Sequence, residues 1–222
     1  VSQFETFMAR DGHEFQVYIA SPAGRPRGAV VLAHEEFGLT EAMRGAADRF
    51  AAAGYLVMAP ALFDRIRHGL VLGYTAAEVE QARGYCAQIG TLAAARDLGA
   101  AAAVARHAGR VGVLGFGWGA RVAWVAAAAT LFAAAVCYDG VGLAAELPVV
   151  PSCPTLIHVA VPDPALPPAG LEQLRSAYPQ GVYELYAADQ GFANRERPAV
   201  YNAVAAELAL ARSQAFLAQH VG

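Results

Sequence analysis

The stretch Val111-Gly112-Val113-Leu114-Gly115-Phe116-Gly117-Trp118-Gly119-Ala120 reads as a buried strand, a sharp glycine-flanked turn and the start of a helix. That is the layout of a nucleophile elbow, G-x-(Ser/Cys)-x-G, whose turn lifts one reactive side chain clear of a sheet. The central residue here is Gly117, which has no attacking atom. Further candidates stand in loops that follow apolar runs: His34-Glu35-Glu36-Phe37-Gly38, Tyr138-Asp139-Gly140, Val161-Pro162-Asp163-Pro164 and Ala188-Asp189-Gln190-Gly191-Phe192. Adjacent carboxylates at a strand's carboxyl end suit acid/base work when burial raises a pKa. His34 and His158 read as hydrogen-bonded core or turn histidines, and neither has metal-ligand spacing. Cys137 and Tyr138 end a buried strand and read as packing, with the Tyr138 hydroxyl able to meet a ligand. Cys86, on a helix, and Cys153, in a proline-flanked loop, have no context that lowers a thiol pKa. Arg65, Arg67 and His68 with Tyr74, and Asn194, Arg195 and Arg197, are either a carboxylate clamp or surface polar groups.

Strands alternating with helices must position these loops. Phe4 to Arg10 and His13 to Ala20 read as extended runs joined at Asp11-Gly12, a type I′ hairpin signal. Ala29 to Ala33, Tyr55 to Ala59, Arg110 to Leu114, Ala133 to Tyr138, Thr155 to Val159 and Val182 to Tyr186 read as short buried strands. Helices are expected from Thr40 to Ala53, from the capping box at Thr75-Ala76-Ala77-Glu78 to Gln88, from Thr91 to Ala108, from Arg121 to Ala129, near Leu171 to Tyr178, and from Pro198 onward. The alternation implies a mostly parallel sheet covered on both faces, opened by an antiparallel hairpin, and ligands in such sheets bind beyond the strands' carboxyl ends.

Composition narrows the partners. The 222 residues fit one α/β domain over 1–222, with no repeat and no linker. A net charge of -3, with Lys and Arg scattered, gives no attraction for nucleic acid or anionic lipid. Three cysteines without C-x-x-C spacing argue against a disulfide framework or a zinc knuckle and fit a reducing cytoplasm. Glu5, Arg10 and Asp11 precede any long apolar run, which speaks against a secretory signal peptide. Val122 to Tyr138 is nearly all apolar, but its alanines suit a helix packed on a sheet followed by a strand, so no membrane span is expected. Neither cofactor nor metal is expected, and the sequence carries no signal for an oligomeric state.

The loop motifs resemble the dienelactone hydrolase family, a branch of the α/β-hydrolase fold, over nearly the whole chain. The resemblance rests on H-E-x-F-G at His34 to Gly38, P-x-L-F at Pro60 to Phe63, G-[FY]-C-W-G-G at the elbow and D-H-G-F at Asp189 to Phe192. It implies a Cys-His-Asp triad in which a thiolate attacks an ester or lactone carbonyl, His handles the proton and Asp orients the His. The Asp position is Asp163, the His position is Gln190 and the Cys position is Gly117. A family glutamate that pairs with the resting cysteine corresponds to Glu35. The backbone N–H groups of Trp118 and Glu36 correspond to the oxyanion hole, and Phe37, Tyr138 and Phe192 are expected around the pocket.

Glycine supplies no nucleophile and a glutamine amide does not titrate near neutral pH, so covalent triad hydrolysis is not expected. The leading expectation is a non-hydrolytic homologue that binds a small carbonyl or carboxylate compound. The alternatives are carboxylate acid/base chemistry through Glu35, Glu36 or Asp163, a nucleophile relocated to Cys137, and an active hydrolase inactivated by replacement at Gly117 and Gln190.

Overall fold

The computed structural model describes residues 2–139, 142–163 and 166–222; Gly140 and Pro164, named in the loop motifs above, lie outside them. Eight strands, β1 (Ser2–Met8), β2 (Glu14–Ala20), β3 (Ala29–Ala33), β4 (Leu56–Pro60), β5 (Val111–Phe116), β6 (Ala134–Tyr138), β7 (Thr155–Val161) and β8 (Val182–Ala187), form one sheet ordered β1-β2-β4-β3-β5-β6-β7-β8. β2 is antiparallel to both β1 and β4, and every other pair is parallel. This is the α/β-hydrolase architecture.

The central strands are apolar throughout because both faces are covered. Along β3, Ala29, Val31 and Ala33 enter one core while Val30 and Leu32 enter the other. Helices α1 (Glu41–Ala52) and α5 (Ala203–His220) cover the second face; α2 (Ala76–Ala105), α3 (Trp118–Ala126) and α4 (Pro168–Ala177) cover the first. Thr40 caps α1, and the Thr75–Glu78 capping box starts α2. Helix α2 is broken at Gly90 (φ 70°, ψ 158°), so the two helices expected between Thr75 and Ala108 follow end to end. No helix among the described residues is long and apolar enough to cross a membrane.

Three local expectations are corrected. The β1–β2 connection runs from Ala9 to His13 rather than through a two-residue turn: Met8 pairs with Glu14, and of Asp11 and Gly12 only Gly12 takes positive φ. The last helix starts at Ala203 under an Asn202 cap, because the chain after Pro198 forms a turn in which Val200 and Tyr201 N–H both donate to the Arg197 carbonyl. Helix α3 starts at Trp118, not Arg121, directly off the elbow. Bare backbone makes that early start possible. A Cβ on Gly119 would lie 2.4 Å from the carbonyl oxygens of Ala33 and His34, and one on Gly115 would lie 2.0 Å from the Gly119 carbonyl oxygen. Only glycine lets the helix seat this close to β3 and β5.

Candidate functional site

The elbow has its expected strained backbone, with Gly117 at φ 52°, ψ -120°, a region that residues with a Cβ rarely occupy. Gly117 N–H donates to the Tyr138 carbonyl at 3.1 Å, which ties the turn to the end of β6. The loop after β3 reaches the elbow from the other side: a Cβ built on Gly117 would stand 2.6 Å from Glu36 Oε2. The Trp118 N–H, at the amino end of α3, points at the same oxygen over 3.5 Å. A carboxylate oxygen therefore crowds the position that a side chain on residue 117 would start from, against a backbone donor that the family resemblance assigns to the oxyanion hole.

A cavity of about 620 Å³ opens in front of the elbow. Glu36, Phe37, Gly117, Trp118 and Gln190 line it, together with Arg197. The opposite wall is the first half of α2 and its break, from Val79 through Arg83, Cys86 and Gly90 to Thr91, and Arg121 and Gly142 complete it. Arg83 and Arg121 were not among the sequence candidates. Arg121 follows Gly117 by four residues, one helical turn into α3, and that spacing was the available signal. The two are already engaged, Arg121 with Glu146 at 2.6 Å and Arg83 with Glu80 at 3.7 Å.

Glu35 sits behind the cavity rather than on it. Its Oε2 accepts from Asn194 Nδ2 at 2.7 Å; the same amide donates to Tyr74 Oη at 3.1 Å, and Asn194 Oδ1 accepts from Glu196 N–H at 2.9 Å. Burial, and then the neighbouring Glu36 charge, push the Glu35 carboxyl up to about 8. Burial likewise takes the Tyr74 phenol to about 12. Asp139, which the sequence named in a candidate loop without assigning it a role, is a second buried carboxyl: it has φ 59°, its Oδ2 accepts from Gly191 N–H at 3.1 Å, and its Oδ1 has no hydrogen-bond partner among the described residues. Burial raises it to about 7, the Gly191 bond opposes the shift, and the Asp163 charge adds to it. Asp163 is buried next to this group but does not line the cavity. Tyr138 and Phe192 also leave the expected pocket set: both are buried in the core under α5, where the Tyr138 hydroxyl meets Ser213 Oγ at 2.8 Å and Phe192 stacks on Tyr186.

The remaining candidates resolve into structural roles. Leu62 N–H donates to His34 Nε2 at 3.0 Å, so the proton is on Nδ1, 2.6 Å from the Glu35 carbonyl, and burial lowers this imidazole to about 4. His158 lies between Tyr186 Oη and Ser213 Oγ, each at 2.8 Å, and burial lowers it to about 3. Arg65 grips the buried Asp97 with two nitrogens, at 2.8 and 2.6 Å, and His68 pairs with Asp64 at 3.2 Å. Arg195 pairs with Glu207 at 2.8 Å. Of the residues considered for a clamp, only Arg197 lines the cavity, its guanidinium over the rings of Phe37 and Tyr74 at 5.6 and 5.7 Å. Cys137 is fully buried beneath α3 with its thiol donating to the Ala120 carbonyl at 3.5 Å, and burial pushes the thiol well above its ordinary range. Cys86 does line the cavity, but burial and the Glu36 charge raise its thiol too. Among the described residues no group of three His, Cys, Asp or Glu side chains is arranged to hold a metal.

The family model of dienelactone hydrolases matches residues 15–221. A carboxymethylenebutenolidase of Pseudomonas putida is 32% identical over 219 residues, covering 94% of this chain and 92% of the relative. Among solved structures, a Klebsiella pneumoniae chain provisionally named a dienelactone hydrolase superposes with a TM-score of 0.82 at 24% identity over 99% of both chains. A dienelactone hydrolase-like promiscuous phosphotriesterase from metagenomic libraries superposes at 0.78 with 16% identity, over 100% of this chain and 99% of the other. At those identities the superpositions speak for the fold; the family match and the Pseudomonas relative go further, and this chain belongs to the dienelactone hydrolase family.

Proposed function

We propose that this chain binds a small carboxylate- or carbonyl-bearing molecule in the Gly117 cavity without forming an acyl-enzyme. The observation that carries the reading is the Glu36 oxygen standing 2.6 Å from where a Cβ of residue 117 would be. An acyl transfer needs an attacking atom at the elbow, a titrating partner and free donors for the oxyanion. Here the first position is glycine, the second is the amide of Gln190, and the Trp118 N–H faces a carboxylate. Arg197 supplies the carboxylate-binding end, because it lines the cavity and forms no ion pair with any described residue. The Pseudomonas relative's name, carboxymethylenebutenolidase, makes small unsaturated lactones with an acidic arm the first compounds to try.

The test is hydrolysis of a panel of activated esters and small unsaturated lactones by the chain beside its Gly117→Cys/Gln190→His variant. The unaltered chain is expected to run at the buffer rate and the variant above it, since the atom a new Cβ would crowd is Oε2 at the far end of the flexible Glu36 side chain. Turnover by the unaltered chain well above buffer overturns the reading. If that turnover vanishes in Glu36→Gln, the cavity works by carboxylate acid/base chemistry instead, and the position of Glu36 favours that as the second reading.

A further inference from the structure

Glu36 and Arg197 both line the cavity and form no ion pair with each other. Neither is within 4 Å of an opposite charge among the described residues, although every other charged side chain lining the cavity is paired. The Glu36 carboxylate has the long 3.5 Å approach of the Trp118 N–H, and the Arg197 guanidinium lies over the faces of Phe37 and Tyr74, its charge reaching the buried Glu35 and Asp139 without a direct ion pair among the described residues. One unpaired anion and one unpaired cation therefore face a shared volume of about 620 Å³. An anionic or oxyanion-bearing group at the elbow would meet Glu36 directly, with Glu35 and Asp139 buried behind it. A cationic or strongly donating group would instead complete the Glu36 bonding.

We infer that the cavity selects a zwitterion, an ω-amino carboxylate whose ammonium meets Glu36 at the elbow and whose carboxylate meets Arg197. The inference rests on the carboxylate-binding reading above and deepens it by assigning the chemistry of the ligand's other end. Selectivity comes from Glu36: each dicarboxylate sets like charges together there, and each simple amine leaves Arg197 unpaired. Because both side chains lack strong internal partners, binding breaks no existing ion pair.

Calorimetric titration of the whole chain with ω-amino acids from three to eight carbons, and with dicarboxylates of equal length, tests it. At the preferred length the amino acid is expected to bind at least about tenfold more tightly than the matching dicarboxylate. Glu36→Gln is expected to erase that preference while carboxylate binding persists, and Arg197→Gln to weaken both series. Equal or tighter binding of the dicarboxylate overturns the inference and leaves the carboxylate-binding reading standing, as does a preference that survives Glu36→Gln. If neither series binds the unaltered chain, both readings fall together. The comparison of ligands on the unaltered chain needs no variant to fold.

Discussion

Two polar clusters lie at the carboxyl ends of the parallel strands, and they are built on opposite rules. Under α5, Ser213 Oγ donates to the Ala209 carbonyl at 2.8 Å. Its lone pairs then accept from the Tyr138 hydroxyl and from His158 Nε2–H, and Tyr186 O–H completes His158 at Nδ1. The four side chains satisfy each other while carrying no charge. Around the elbow, by contrast, Glu35, Glu36 and Asp139 crowd three carboxyls together, Asp139 Oδ1 has no described partner, and Arg197 forms no ion pair among the described residues. A closed cluster adds stability and fixes geometry, whereas an open one holds unmet bonding capacity at a cost to the fold. The contrast sets the elbow, which holds unmet bonding capacity, apart from the histidine cluster, whose polar groups bond one another.

Removing the hub of the closed cluster gives the largest effect. Ser213→Ala leaves the Tyr138 hydroxyl and His158 Nε2–H buried without acceptors, so stability falls by about 2–4 kcal/mol, read from the midpoint of urea unfolding. Ligand binding in the Gly117 cavity is expected to survive, because none of the four side chains lines it. A loss under about 0.5 kcal/mol, the range of an ordinary surface change, breaks the claim that this cluster is closed.

Substitution in the open cluster has the opposite sign, and pH sets its size. Glu35 has a folded pKa of about 8 against an ordinary 4.5, so the folded state holds the proton more tightly. Its contribution to stability is fully present below 4.5 and is lost as pH rises through 8. Asp139, raised to about 7, acts in the same direction. His34 and His158, lowered to about 4 and about 3, act in the other: their contribution is present above 6.5 and is lost as pH falls toward those values. Stability should therefore peak in the weakly acidic range. Glu35→Gln should stabilise the chain by roughly 1–3 kcal/mol at pH 9 and have little effect near pH 4, measured by denaturation at both. Equal effects at the two pH values would mean that Glu35 is not a buried titrating group.

The closed and open clusters were not equally legible. The parallel strands were, because continuous apolar runs such as Ala29 to Ala33 admit little else, and their observed ends move by one or two residues. The elbow was also legible, since Gly115, Gly117 and Gly119 each answer a steric demand that a motif records. What the sequence could not decide was which of two adjacent glutamates enters the cavity. Side chains of neighbouring residues diverge, so the identity of the inward one depends on the turn between β3 and α1, and it is Glu36, not the motif residue Glu35. Arg83 and Arg121 escaped for another reason: that Arg83 lines the cavity from α2 is a tertiary fact with no local signal, and Arg121, on α3, was signalled only by its four-residue spacing from Gly117. Asp139 stood in a named loop, but its φ of 59° and its burial emerge only in the fold.

The smallest expected effect separates a backbone constraint from a seated carboxylate. Gly117→Ala puts a Cβ on a residue at φ 52°, ψ -120°, which costs about 1–2 kcal/mol in backbone strain. The Cβ also displaces Glu36 Oε2 from 2.6 Å, yet that oxygen ends a flexible side chain with one long hydrogen bond, so moving it should cost little. The same substitution in a Glu36→Ala background should then cost nearly as much, with a coupling between the two positions below about 0.5 kcal/mol. Denaturation of the four chains in this cycle measures it. A coupling well above that value would mean that Glu36 is anchored at the elbow as an internal occupant, which would make the open cluster as closed as the one under α5.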